Sequence, residues 1–96
     1  MRAYLVLDFE IVEAAPFMDY ARQIPALIER HRGRYVVRGE RPAVVEGSWA
    51  PDRMVILEFE SRQHAEDFLG DPAAQELFAL RHRSTRSNLV LVDGCI

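Results

Sequence analysis

An α+β fold, with helices covering one face of an antiparallel sheet, is what this 96-residue sequence predicts. Three observations carry it. Four segments are strand-like, the clearest alternating side chains between two faces with a period of two. The intervening longer segments repeat apolar residues at three- and four-residue steps, as amphipathic helices do. The resulting order is β-α-β-β-α-β, for which short connections and right-handed crossovers favour a split βαβ, ferredoxin-like arrangement.

The first strand is "AYLVLDFEIV", residues 3–12. Ala3, Leu5, Leu7 and Phe9 point one way, and Tyr4, Val6, Asp8 and Glu10 the other. "PFMDYARQIPALIERHR", residues 16–32, predicts a helix with Phe17, Tyr20, Ala21, Ile24, Leu27, Ile28 and His31 on one stripe. Pro16 suits a first helical position, Pro25 removes a hydrogen bond in the middle, and Gly33 is expected to end the helix. Residues 34–38 and 43–47 predict two short extended pieces around "GERP".

"RMVILEFE", residues 53–60, is a stronger strand with Val55, Leu57 and Phe59 on one face. Its other face carries Met54, Ile56, Glu58 and Glu60. Ser61 is a helix cap for "RQHAEDFLG", with His64 where a capping box would place Glu. Asp71 caps and Pro72 opens "PAAQELFALRHR". "NLVLVDG", residues 88–94, predicts the last strand.

The purely apolar sheet face should meet the helices. The opposite face, with Tyr4, Val6, Asp8, Ile56 and Glu58, is too apolar to be simply wet and too polar for a dry core. Two such faces packed across a homodimer, enclosing a shared cavity, would account for it. The apolar fraction of 49% points the same way. A chain this short buries only about two-thirds of its unfolded surface, so some apolar area is left for a second subunit.

The totals narrow the function classes. The length predicts one domain over residues 1–96. A net charge of −3 gives no basic footprint for nucleic acid, and all twelve cations are arginine. No apolar run approaches the roughly 18 residues of a membrane helix, and Asp8 and Glu10 make the N-terminus too acidic for a signal peptide. The expectation is a cytoplasmic protein with no membrane partner. Cys95 stands alone, and the histidines at 31, 64 and 82 have no short ligand spacing, so neither a metal nor another cofactor is predicted.

Candidate site residues come from the mixed face and the helix end. Arg34 and Arg38 are four apart, so an unbroken strand would point both the same way. Together they could clamp a carboxylate. Alternatively they form internal ion pairs, Arg38 with Glu58 or Asp8, and Glu46 with Arg34 or Arg53. Tyr4 and Ile56 would line the same face, and Trp49 would wall a rim or pack over a sheet end. His31, as a general base, and Glu58 are the candidate catalytic residues. The ligand this predicts is a small organic acid or aromatic metabolite.

"GRYVVRG" (33–39), "VVEGSWAPDRMVILEF" (44–59), "DPAAQELFALR" (71–81) and "LVLVDG" (89–94) together resemble the bacterial family called domain of unknown function thirteen-thirty, of the dimeric α/β-barrel superfamily. The resemblance implies a ferredoxin-like subunit and a homodimer. Superfamily relatives include cofactor-independent oxygenases and muconolactone isomerases, so the resemblance implies a cofactor-free enzyme as one reading; the other is a non-catalytic small-molecule-binding or structural dimeric module. The chain departs from the family pattern at Ala15-Pro16, where Asp-Pro is usual, and at Arg32-Gly33, where Gly-Gly is usual.

Overall fold

The computed structural model describes residues 1–96. Strand β1 (Ala3–Ile11) leads into helix α1 (Ala14–Arg30) and strand β2 (Gly33–Glu40). After a loop come β3 (Arg53–Phe59), α2 (Arg62–Gly70), α3 (Pro72–Ser84) and β4 (Thr85–Asp93). The four strands form one antiparallel sheet in the order β2-β3-β1-β4. This is the ferredoxin-like α+β arrangement. No helix is long and apolar enough to cross a membrane.

The Cα frame measures 32 × 31 × 15 Å, thin enough for only two layers, one sheet and one helical. The helices bury a core of Ala3, Leu5, Leu57 and Phe59 against Tyr20, Ile24, Leu27, Ile28 and Phe68. The predicted faces of β1 and β3 and the predicted α1 stripe are therefore correct. The other sheet face has no covering layer. Across it run two rows, Arg34–Glu58–Tyr4–Val92 and Val37–Ile56–Val6–Val90.

Local chemistry sets the element ends. Ser61 accepts a hydrogen bond from the His64 amide, and Asp71 accepts one from the Ala73 amide, so both predicted caps form. Helix α1 begins at Ala14 with no side-chain cap, which makes Pro16 its third residue, still within the first turn, and it continues through Pro25. It ends before Gly33. Arg32 takes the left-handed turn at φ 62°, and the His31 and Arg32 amides bond back to the Ile28 and Glu29 carbonyls. Gly33 instead opens β2, where a Cβ would lie 2.6 Å from the Phe59 ring.

Three further expectations are corrected. Residues 43–47 form no strand; they lie in the exposed loop between β2 and β3. Strand β4 starts at Thr85, three residues before the predicted start, because β1 continues to Ile11 and pairs with it there. Most consequential, β2 is not an unbroken strand. Its register with β3 shifts between Tyr35 and Val37 and again between Arg38 and Glu40. Each extra residue in such a bulge reverses the facing of the strand residues beyond it. Arg34 lies opposite Glu58 on the uncovered face, whereas Arg38 lies opposite Val55 on the helix side.

Candidate functional site

On the uncovered face the charges satisfy one another. Glu58 is buried and forms the hub. Its Oε1 accepts from Arg34 Nη2 at 2.7 Å and Nε at 2.8 Å, and its Oε2 accepts from the Tyr4 hydroxyl at 2.9 Å. Arg2 approaches to 3.8 Å. The Tyr4 hydrogen bond, followed by those and the charge of Arg34, holds the Glu58 carboxyl below its ordinary range against the opposing effect of desolvation. The same bond raises the Tyr4 pKa, because losing the phenolic proton beside a carboxylate is unfavourable.

Trp49 donates through Nε1 to Asp8 at 3.0 Å, and Asn88 donates to the other Asp8 oxygen at 3.3 Å. The Trp49 indole nonetheless stays exposed, on the uncovered side. Ile56 lies half-buried in the apolar row beside Val6. His31 faces elsewhere: its Nε2 is 2.7 Å from Asp71 Oδ2, which ties the end of α1 to the α2–α3 junction. That hydrogen bond, and next the one from the Ala73 amide, lowers the Asp71 pKa. His31 and Glu58 are thus on different sides of the molecule. The expected Arg38 pairs with Glu58 and Asp8 do not form, and Glu46 pairs with neither Arg34 nor Arg53.

A polar hollow beside the Glu58 cluster is lined by Arg2, Arg32, Gly33, Arg34, Glu58 and Glu60, whereas the apolar concave site is on the helix side. A cavity of about 200 Å³ lies between the sheet and α1 and α3. Its walls are mostly apolar, including Leu5, Leu7, Ile24, Ile28, Val55 and Leu57. Its polar lining consists of Tyr20, Tyr35, Arg38, Arg53 and Arg81, with no carboxylate and no histidine. Of the seven residues singled out from the sequence, only Arg38 lines it.

The charge pattern here is the reverse of that on the outer face. Eight arginines, at positions 2, 22, 30, 32, 34, 41, 62 and 86, have a carboxylate within 4.0 Å. The guanidinium groups of Arg38, Arg53, Arg81 and Arg83 have none, although the Arg38 backbone amide donates to Glu40 Oε1 at 2.8 Å, and the first three of these arginines line the cavity. Arg81 is only 5% exposed, and its Nε is fully buried with no hydrogen-bond partner. Its guanidinium lies 5.1 Å from the Phe78 ring centre and 5.9 Å from that of Tyr20, with Nη2 3.3 Å from His82 Nε2. Arg38 stacks on Tyr35 at 4.4 Å. The Tyr20 and Tyr35 hydroxyls bond to no protein group. Burial first, and then proximity to Tyr20, raises the Tyr35 pKa, so its phenol remains a donor at neutral pH.

A family model described as "Domain of unknown function (DUF1330)" matches residues 2–95. The chain belongs to that family. Among solved structures, this DUF1330 chain is similar to a protein of unknown function from Rhodopseudomonas palustris, at TM-score 0.80 and 18% identity over 99% of this chain and 83% of that one. It is similar to SnoaB, a cofactor-independent oxygenase from Streptomyces nogalater, at TM-score 0.70 and 17% identity over 97% and 92%. A dimeric ferredoxin-like protein of unknown function from a Jannaschia species aligns at TM-score 0.65 and 14% identity over 98% and 100%. These likenesses establish the fold. A comparison with curated proteins finds no match.

Arg81 had a signal in the sequence. Ala74, Leu77, Phe78 and Arg81 fall at three- and four-residue steps, so the arginine rides on the buried stripe of α3. Tyr20 lies on the α1 stripe as expected, but it serves as cavity wall as well as packing.

Proposed function

We propose that the helix-side cavity binds a small organic acid with an aromatic or aliphatic body, in a protein that works as a homodimer through the uncovered sheet face. The observation that carries the ligand reading is Arg81. A buried guanidinium without a counter-charge is costly. Here it lines an apolar cavity beside two further unpaired arginines and two free phenols. A ligand carboxylate would supply the missing charge, and its hydrocarbon body would lie on the apolar wall. The dimer reading is supported by Val37, Ile56, Val6 and Val90, which form an apolar row with no cover within the subunit.

A second reading, a cofactor-free oxygenase or isomerase, is favoured by the same lining. Donors fixed around a bound molecule would stabilise negative charge as it develops. SnoaB shares the fold and is such an oxygenase.

Thermal shift with matched ligands tests the binding reading. Small aromatic and aliphatic carboxylates should raise the melting temperature, with stabilisation of about 2.7 kcal/mol at a roughly hundredfold excess over the dissociation constant. Their neutral amides should not. Equal stabilisation by acids and amides would remove the role given to the arginines.

A further inference from the structure

We infer that the cavity binds weakly acidic phenols and enols as their oxyanions, lowering the ligand's own pKa and so generating the ionised form without a protein base. This inference rests on the cavity being the ligand site. It adds the chemical class and ionisation state of what the site holds.

The polar groups of the cavity are donors and cations. Arg38, Arg53 and Arg81 are unpaired cations, and Tyr20 and Tyr35 carry free hydroxyls. No carboxylate and no histidine lines the cavity, so nothing there can accept a proton strongly. Two such groups touch lining residues from outside the cavity: His82, whose Nε2 meets Arg81, and Glu40, which accepts from the Arg38 backbone amide. A ligand hydroxyl placed among these groups meets donors and positive charge on every polar side. Opposite charge within a few ångströms favours the ionised form of an acid, and apolar walls strengthen the effect. The O–H bond of the ligand breaks, its electron pair stays on oxygen, and the proton leaves to water. No electron is transferred and no second reactant is needed.

The three arginines gather at one end of the sheet. Arg53 lies opposite Phe9, and Arg38 lies in the row with Val55, Leu7 and Leu89. Arg81 precedes by one helical turn Thr85, which pairs with Ile11 at the same end of β1. Ile28, Leu57 and Phe68 close the other end and carry no charge. A ligand therefore sits with its anionic oxygen at the arginine end and its body inward. A cavity of about 150 Å³ is enough for a benzene ring. The 200 Å³ here suits a single substituted ring or a short conjugated chain.

The test uses 4-nitrophenol, whose phenolate absorbs at longer wavelength than the phenol. The full chain at saturating concentration is titrated with pH, and the spectrum of the bound dye is recorded. The apparent pKa of the bound dye should fall at least one unit below its free value, about tenfold in ionisation constant. Arg81→Gln should return it toward the free value, and Arg81→Lys should retain most of the shift. Should Arg81→Gln fail to fold, the exposed rim variants Arg38→Gln and Arg53→Gln should each give a partial return. A bound dye with its free pKa would overturn the inference and leave the binding reading standing. So would failure of the dye to bind while carboxylates do. If neither dye nor carboxylates bind, the cavity reading falls and this inference with it.

Discussion

Two clusters of charge lie on opposite sides of one sheet, and they are built in opposite ways. On the uncovered face Glu58 gathers Arg34, Tyr4 and Arg2, so donors and acceptor are matched. On the helix side three arginines and two phenols surround a cavity without a single acid. Both clusters contain arginine and tyrosine, so composition does not distinguish them. What does is whether the charge is answered from within the chain. A matched cluster holds structure together, and an unmatched one leaves free energy to be recovered by a partner from outside.

Breaking the matched cluster should have the largest effect on stability. Glu58→Gln leaves Arg34 and Arg2 beside a neutral group, and at neutral pH it should lower the melting temperature more than substitution of any cavity arginine. The pH dependence has a definite sign. The folded Glu58 carboxyl has a depressed pKa, so its contribution is full above the unfolded value of about 4.3 and is lost as pH falls through the folded value. Tyr4 has a raised pKa, so its contribution is full below about 10 and is lost as pH rises through the folded value. The gap between parent and variant should therefore close at both extremes. Asp71 also loses stabilisation in acid, but equally in both proteins. Sedimentation of the parent at low micromolar concentration should give about twice the 11.0 kDa chain mass. A clean monomer there would leave the outer cluster a surface feature.

Breaking the unmatched cluster should do the reverse. Arg81→Met keeps most of the side-chain volume and removes a buried charge that has no carboxylate partner and whose Nε is unbonded. Without ligand the variant should range from neutral to about 2 kcal/mol more stable than the parent, because the desolvation cost of the buried guanidinium is removed and no buried carboxylate is left stranded. Stabilisation by carboxylates should disappear. Calorimetry with and without ligand measures both. A large loss of stability in the ligand-free variant would mean that Arg81 is structural, and the contrast between the two faces would fail.

Much of this arrangement is legible in the sequence, and the most consequential illegible part is the pair of register shifts in β2. Alternation in β1 and β3 fixes which residues face the helices, because a two-residue period has only two phases. The caps at Ser61 and Asp71 are readable because hydroxyl and carboxylate side chains there bond amides a few residues away. The position of Arg38 was not readable. Even spacing from Arg34 predicts one shared face, yet the register shifts after Tyr35 and again after Arg38. A bulge is decided by how the partner strand pairs, and the only local trace is Gly39 at φ 105°. The candidate site went astray with it. Once Arg38 is assigned to the outer face, the arginine-lined cavity on the other side has no member among the residues the sequence singles out. Arg81 itself could have been read from its helical spacing, but an arginine on an apolar stripe usually extends its charge into water.

The smallest effect should come from Arg38, and it is the finest test of the contrast. On the face where the sequence places it, Arg38 would pair with Glu58, and its removal would strand a buried charge. In the structure it is exposed, stacks on Tyr35 and pairs with no acid. An exposed cation–π contact contributes only about 0.5–1 kcal/mol. Arg38→Gln should therefore melt within a few degrees of the parent. Carboxylate binding should weaken, because one of the two rim cations is lost while Arg81 remains. A severalfold rise in dissociation constant with nearly unchanged melting is the expected pair of results. If melting instead collapses while the carboxylate affinity holds, Arg38 belongs with the matched cluster after all, and the register shift in β2 is wrong.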